Sequence, residues 1–280
     1  MTKENTGING DDGKVLNFDH LTFWVANAKT ASSYFVTRFG FKPLAIRQPT
    51  EERPAISIAV QLNKITIIFE SPTTEGEISK DLTDHGDFVK DVAFEVNNLN
   101  AIVEKAKKEG AEVIRDVIEE TDKNGIIRYA VLRTLSLNEA AKGIRPTSKA
   151  SEFVKALGTS GVEHVALYTD DIVATMKSLK ARGADILSWP PTYYELIKEK
   201  LKDSSVNVQE SIEELKEQNI LIDFDERGYM LQAFTTHLQV RPTLFIEIIQ
   251  RRNHRGFGAM NYKWVFEAIE LLDKSKTESQ

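Results

Sequence analysis

The sequence predicts an α+β protein made of a repeated unit of strand, helix and several strands, with units paired into half-closed mixed sheets. Three observations point there. A seven-residue pattern recurs as Asp19-His20-Leu21-Thr22-Phe23-Trp24-Val25, Lys90-Asp91-Val92-Ala93-Phe94-Glu95-Val96 and Glu163-His164-Val165-Ala166-Leu167-Tyr168-Thr169, each alternating sides as a strand does. Seven residues beyond His20, Asp91 and His164 stand Asn27, Asn98 and Asp171, suited to begin or cap a helix. Each helix then stops at a glycine, at Gly40, Gly110 and Gly183. Such a unit cannot easily bury its sheet alone, so pairs should curve around a shared cavity.

Taken in order, residues 1–15 read as a polar, disordered leader without the apolar stretch of a signal peptide. Residues 16–134 form an N-terminal domain of two copies, with strands at Ile56 to Leu62 and Lys64 to Glu70 in the first and Ile126 to Arg133 in the second. The second copy is incomplete. A connecting segment covers 135–160, and residues 161–280 hold the third recognisable copy. A closing helix runs from Asn261 to Leu272, with Trp264, Val265, Phe266, Ile269 and Leu272 at helical spacing.

Composition narrows the chemistry. With 280 residues and 41% hydrophobic content the chain can bury a substantial core, and a net charge of −6 offers no electrostatic footprint for nucleic acid or an anionic membrane. No apolar run approaches the ~20 residues needed to span a bilayer. A cytoplasmic location is expected. The absence of cysteine removes thiolate sites, so a metal would rest on His, Asp and Glu, which favours hard or borderline ions.

The repeat resembles the βαβββ module of the vicinal oxygen chelate superfamily, the glyoxalase and extradiol dioxygenase type of fold. From Gly161 the resemblance sharpens. Gly161-Val162-Glu163-His164-Val165-Ala166-Leu167, Pro190-Pro191-Thr192-Tyr193-Tyr194, Gly228-Tyr229-Met230-Leu231-Gln232-Ala233-Phe234, the run from Arg241-Pro242-Thr243-Leu244-Phe245-Ile246-Glu247-Ile248-Ile249-Gln250-Arg251, and Asn253-His254-Arg255-Gly256-Phe257-Gly258-Ala259 together resemble the C-terminal half of the 4-hydroxyphenylpyruvate dioxygenase family. The resemblance implies an Fe(II) dioxygenase that converts 4-hydroxyphenylpyruvate and O2 to homogentisate and CO2 in tyrosine and phenylalanine catabolism. His164 would be the second iron ligand and Glu247 the third, on a two-histidine, one-carboxylate face with open positions for a small aromatic α-keto acid and O2. Gln232 and Asn138 would orient substrate, Phe234, Phe245 and Phe257 would shield it, and Asn261 and Tyr262 would lie near the pocket mouth.

Without that resemblance His164 also reads as a core histidine, and Phe234 and Phe245 as ordinary strand core. Glu247 weighs more, because a carboxylate within Leu244-Phe245-Ile246-Glu247-Ile248-Ile249 costs several kcal/mol unless a cation or hydrogen bonds compensate it.

The chain departs from the family between Thr134 and Leu135. The last strand of the second module, the interdomain connection and nearly all of the third module have no counterpart there, and the first iron-ligand histidine goes with them. Glu163 and Lys149 replace family glutamines, while Met260 and Tyr262 are smaller departures. One alternative is therefore a non-catalytic paralogue or truncated isoform whose exposed sheet pairs with a second copy as a homodimer, and another is a related α-keto-acid oxygenase, such as one making 4-hydroxymandelate. A weaker expectation from strand register is a second site formed by His20, Glu70 and Asp91.

Overall fold

The computed structural model describes residues 13–122, 125–133, 149–261, 263–265 and 267–269. Asn138, Tyr262, the side chain of Lys149 and most of the predicted leader lie outside the described residues. The first sheet contains β1 (Val15–Trp24), β2 (Lys42–Arg47), β3 (Ala55–Leu62), β4 (Ile65–Pro72) and β5 (Phe88–Val96), in the order β2-β3-β4-β1-β5. Strand β1 runs parallel to β4 and antiparallel to β5, so the first and second copies of the repeat meet along β1 and β5.

Helix α1 (Ala28–Tyr34) crosses between β1 and β2 and ends in a wider π-helical turn at Phe35–Phe39. Helix α2 (Glu77–His85) joins β4 to β5, and α3 (Leu99–Lys108) follows β5. Strands β6 (Glu112–Asp122) and β7 (Gly125–Arg133) form a separate two-stranded sheet, and α4 (Lys149–Leu157) is a helix within the predicted connecting segment.

The second large sheet holds β8 (His164–Tyr168), β9 (Leu221–Asp225), β10 (Gly228–Phe234) and β11 (Phe245–Arg252), in the order β8-β11-β10-β9. Helix α5 (Ile172–Ala181) follows β8, and α6 (Pro191–Lys202) and α7 (Ile212–Gln218) precede β9. These last two helices fill the place where the first copy runs straight into strands. Their signals are ordinary: Pro191 opens α6, where a missing N–H costs nothing, and the Ser211 hydroxyl accepts the Glu214 N–H at the start of α7.

The repeat punctuation acts as its chemistry suggests. Asn27, Asn98 and Asp171 accept the backbone N–H of Thr30, Ala101 and Ala174, satisfying donors that the first helical turn cannot. Gly40, Gly110 and Gly183 take φ of +81°, +81° and +76°, a region that costs a side-chain-bearing residue energy.

Alternation divides the second sheet into two faces. Leu167, Leu231, Ala233, Ile246 and Ile248 enter a core shared with Ile172 and Met176 of α5, Tyr193, Tyr194 and Ile197 of α6, Phe23 and Phe69 of the first sheet, and Phe35 of the π-helical turn. The opposite face carries His164, Gln232, Phe234, Phe245 and Glu247. Among the described residues no helix is long and apolar enough to cross a membrane.

Candidate metal centre

Strand register brings the predicted ligands together. In the parallel pair β8·β11, His164 stands opposite Phe245 and Ala166 opposite Glu247, while in the antiparallel pair β10·β11, Phe234 stands opposite Glu247. Because side chains alternate, His164, Phe245, Glu247, Phe234 and Gln232 share one face. His164 Nε2 lies 3.6 Å from Glu247 Oε2, too far for a good hydrogen bond. That spacing suits two donors on one ion, because neighbouring ligands with bonds near ~2.1 Å stand about 3 to 3.6 Å apart.

Glu247 is only 5% exposed. Among the described residues its side chain has one hydrogen bond, from Gln232, whose Nε2 donates to Glu247 Oε1 at 2.6 Å and leaves Oε2 facing His164. The relay continues inward. Asn261 Nδ2 donates to Gln232 Oε1 at 2.7 Å, the Tyr193 hydroxyl donates to Asn261 Oδ1 at 2.9 Å, and that hydroxyl accepts the Ile222 N–H at 2.9 Å. Burial pushes the Tyr193 phenol well above its ordinary pKa, keeping it a neutral donor. Gly258 lies against the Gln232 amide with φ +80°, and a Cβ there would collide with it, so this close approach requires glycine.

Gln232 thus orients the carboxylate, and Asn261 is buried behind it instead of lining a mouth. Sequence reasoning passed over Tyr193 and Gly258 as participants, although both fall within the motifs that carried the resemblance. The His164 ring stacks on Phe245 (5.2 Å between centroids, 11° between planes), and Phe234 meets Phe245 edge-on at 6.0 Å. One expectation needs correction. Phe257 is 88% exposed, 6.0 Å from the Arg251 guanidinium, and does not shield the site.

The other histidines are placed elsewhere. His85 hydrogen-bonds the Leu157 carbonyl, tying α2 to α4, and His254 accepts the Gly256 N–H. His237 sets its ring edge against Phe245 at 6.1 Å. The supposed second site does not assemble. In the first sheet Thr22 stands opposite Ile68, so Ile68 occupies the place that Glu247 fills beside Ala166. Glu70, further along, is 4% exposed and receives Arg47, Arg53, Ser57 and Trp24. Two guanidiniums already neutralise it. Asp91, nearby, is shifted up mainly by burial.

Hard oxygen and borderline nitrogen donors fit Fe(II) in kind. They fall short in number, because among the described residues no third His, Cys, Asp or Glu joins the pair. His164 is also open, with its side chain 47% exposed.

Residues 19–129 match the Glyoxalase/Bleomycin resistance protein/Dioxygenase superfamily. The 4-hydroxyphenylpyruvate dioxygenase of Xenopus tropicalis is 34% identical over 92% of this chain and 91% of its own length, and that of Caenorhabditis elegans is 34% identical over 97% and 95%. The Xenopus alignment runs over 361 positions against the 280 residues here, so at least 81 positions face gaps in this chain. Among solved structures, a variant of 4-hydroxymandelate synthase from Streptomyces coelicolor shares the fold with TM-score 0.74 and 24% identity, covering 92% of this chain and 99% of that one.

Proposed function

Since the chain belongs to the 4-hydroxyphenylpyruvate dioxygenase family, we propose that His164 and Glu247 hold Fe(II) and that the substrate is 4-hydroxyphenylpyruvate or a close aromatic α-keto acid, oxidised in the cytoplasm. The supporting observation is the buried Glu247 carboxylate, held by one amide and facing a histidine at 3.6 Å. When bound, the iron supplies Lewis-acid binding of the α-keto acid and electrons for dioxygen reduction.

The chain's own residues do the rest. Gln232 fixes one carboxylate oxygen and leaves the other for the ion. Phe245 holds the imidazole by stacking, and Phe234 and Phe245 give an apolar wall against which an aromatic ring can lie while water is displaced. Asn138 is assigned to the substrate by family resemblance alone. For the domains, the proposal keeps 16–134 as the N-terminal unit and 161–280 as the iron-binding unit.

The open, two-donor centre favours a second reading: a family member that binds the substrate class without turning it over. Iron content and oxygen uptake with 4-hydroxyphenylpyruvate separate the two. Stoichiometric iron with homogentisate formation supports the dioxygenase, and bound iron without oxygen uptake supports the non-catalytic form. No iron at micromolar excess overturns the assignment of the ligands.

A further inference from the structure

The two large sheets follow one plan. The order β2-β3-β4-β1 in the first is matched by β9-β10-β11-β8 in the second, with β1·β4 and β8·β11 as the corresponding parallel contacts. Yet β1 has neighbours on both sides. Its outer edge carries β5, antiparallel, from the next copy of the repeat. Among the described residues no strand pairs with the outer edge of β8. An unpaired strand edge presents a row of N–H and C=O groups that templates another strand. Beside that edge His164 is 47% exposed and Tyr168 56% exposed, on the same face as the buried Glu247.

We propose that a second copy of this chain covers that edge, β8 pairing antiparallel with its counterpart across a two-fold axis at Val165, so that the partner's His164 completes the metal centre. The register comes from the first sheet, where Leu21 pairs with Val92 and Thr22 with Asp91. In the repeat Leu21, Val92 and Val165 are equivalent; Thr22 corresponds to Ala166, and Asp91 to His164. Carried onto β8, the same register sets Val165 opposite the partner's Val165 and Ala166 opposite the partner's His164.

Antiparallel pairing of a strand with its own copy is two-fold symmetric and closes on itself, so the assembly ends at two chains. The length of the chain points the same way. The aligned Xenopus relative has at least 81 positions without a counterpart here, and no described strand of this chain covers the edge.

In the pair the two His164 side chains share one face, diagonal to each other at about 7–8 Å between strands, each with a Glu247 beside it. Two protein donors become three or four. The metal part of this inference rests on His164 and Glu247 being ligands, and the strand pairing does not.

Because the sequence contains no cysteine, introduced ones are unique. Residues 164 and 166 of opposing strands would have Cα atoms about 4.5–5.5 Å apart, within the roughly 4.4–6.8 Å that a disulfide spans. In pairs of identical variants the two cysteines are diagonal and out of reach. Co-expressed His164→Cys and Ala166→Cys full chains should therefore cross-link on mild oxidation at least about fivefold more than either alone, and the wild type should sediment as a dimer at about 50 µM. A monomer at that concentration, or cross-linking that is absent or equal in all three samples, overturns the pairing.

Ala166→Pro removes an N–H that points away from β11 and adds no charge beside Glu247, so both ligands stay in place. It should give a monomer whose circular dichroism is unchanged and whose Co(II) affinity falls by about tenfold or more. If that monomer binds Co(II) as the wild type does, the partner's share in the centre is refuted. Selective cross-links between the two cysteine variants, beside a wild type that binds no Co(II), would uphold the pairing and instead overturn the ligand assignment.

Discussion

Replacing Glu247 by Gln should stabilise the metal-free chain. The carboxylate is 5% exposed in an apolar strand, and burying such a charge costs several kcal/mol. The single hydrogen bond from Gln232 at 2.6 Å returns about 1.5–3 kcal/mol. His164, half exposed and beyond hydrogen-bond reach at 3.6 Å, returns about 0–1 kcal/mol. A glutamine keeps the shape and can still accept from Gln232 through its amide oxygen. Glu247→Gln should therefore raise metal-free stability by about 1–3 kcal/mol, seen as a rise of roughly 2–8 °C in the melting transition of the C-terminal sheet. The same protein should no longer be stabilised by added Co(II) or Fe(II). Thermal scans in chelator and in metal give both numbers. A chelated variant that melts below the wild type would refute the reasoning, because Glu247 would then be a structural carboxylate instead of one held in reserve for a cation.

Gly258→Ala forces a Cβ onto the Gln232 amide at φ +80°, so it should destabilise by about 1–3 kcal/mol and weaken metal binding in parallel, as urea unfolding and Co(II) titration would report. Tyr193→Phe removes a hydroxyl that serves both Asn261 and the Ile222 N–H, and should cost about 1–3 kcal/mol in the same unfolding assay. Tyr194→Phe should cost nothing, since among the described residues that buried hydroxyl has no hydrogen-bond partner. Both tyrosines have phenol pKa values raised by burial, so the unfolded chain loses these protons first; their contribution is complete below pH 10 and falls as the pH rises further. Tyr194→Phe should flatten that alkaline loss in pH-dependent melting. Glu70→Gln should weaken the Arg47 and Arg53 contacts, costing about 1–3 kcal/mol by urea unfolding, and leave metal content unchanged.

The sequence revealed what local chemistry dictates and what a long motif run carries. Caps at Asn27, Asn98 and Asp171 and stops at Gly40, Gly110 and Gly183 need only their own turn, so spacing exposed them. The motifs around His164 and Glu247 were distinctive enough to single both out, and the parallel register of β8 and β11 sets them on one face of the sheet. Glu70 misled for want of register: cross-strand arginines cannot be seen from one strand, and a shift of two residues separates an ion-paired carboxylate from a ligand position. The Tyr193–Asn261–Gln232 relay joins residues 29 and 68 apart in sequence, which no periodicity reports. Phe257 was expected as a wall from the family resemblance alone, which does not report exposure, and here it stands in solvent.

Equilibrium dialysis of the full chain against Fe(II) under anaerobic conditions tests the central claim most directly, with His164→Ala and Glu247→Ala beside the wild type. The account predicts that the wild type retains iron and that each substitution abolishes it. Iron retained by both variants, or by neither variant nor the wild type, contradicts it.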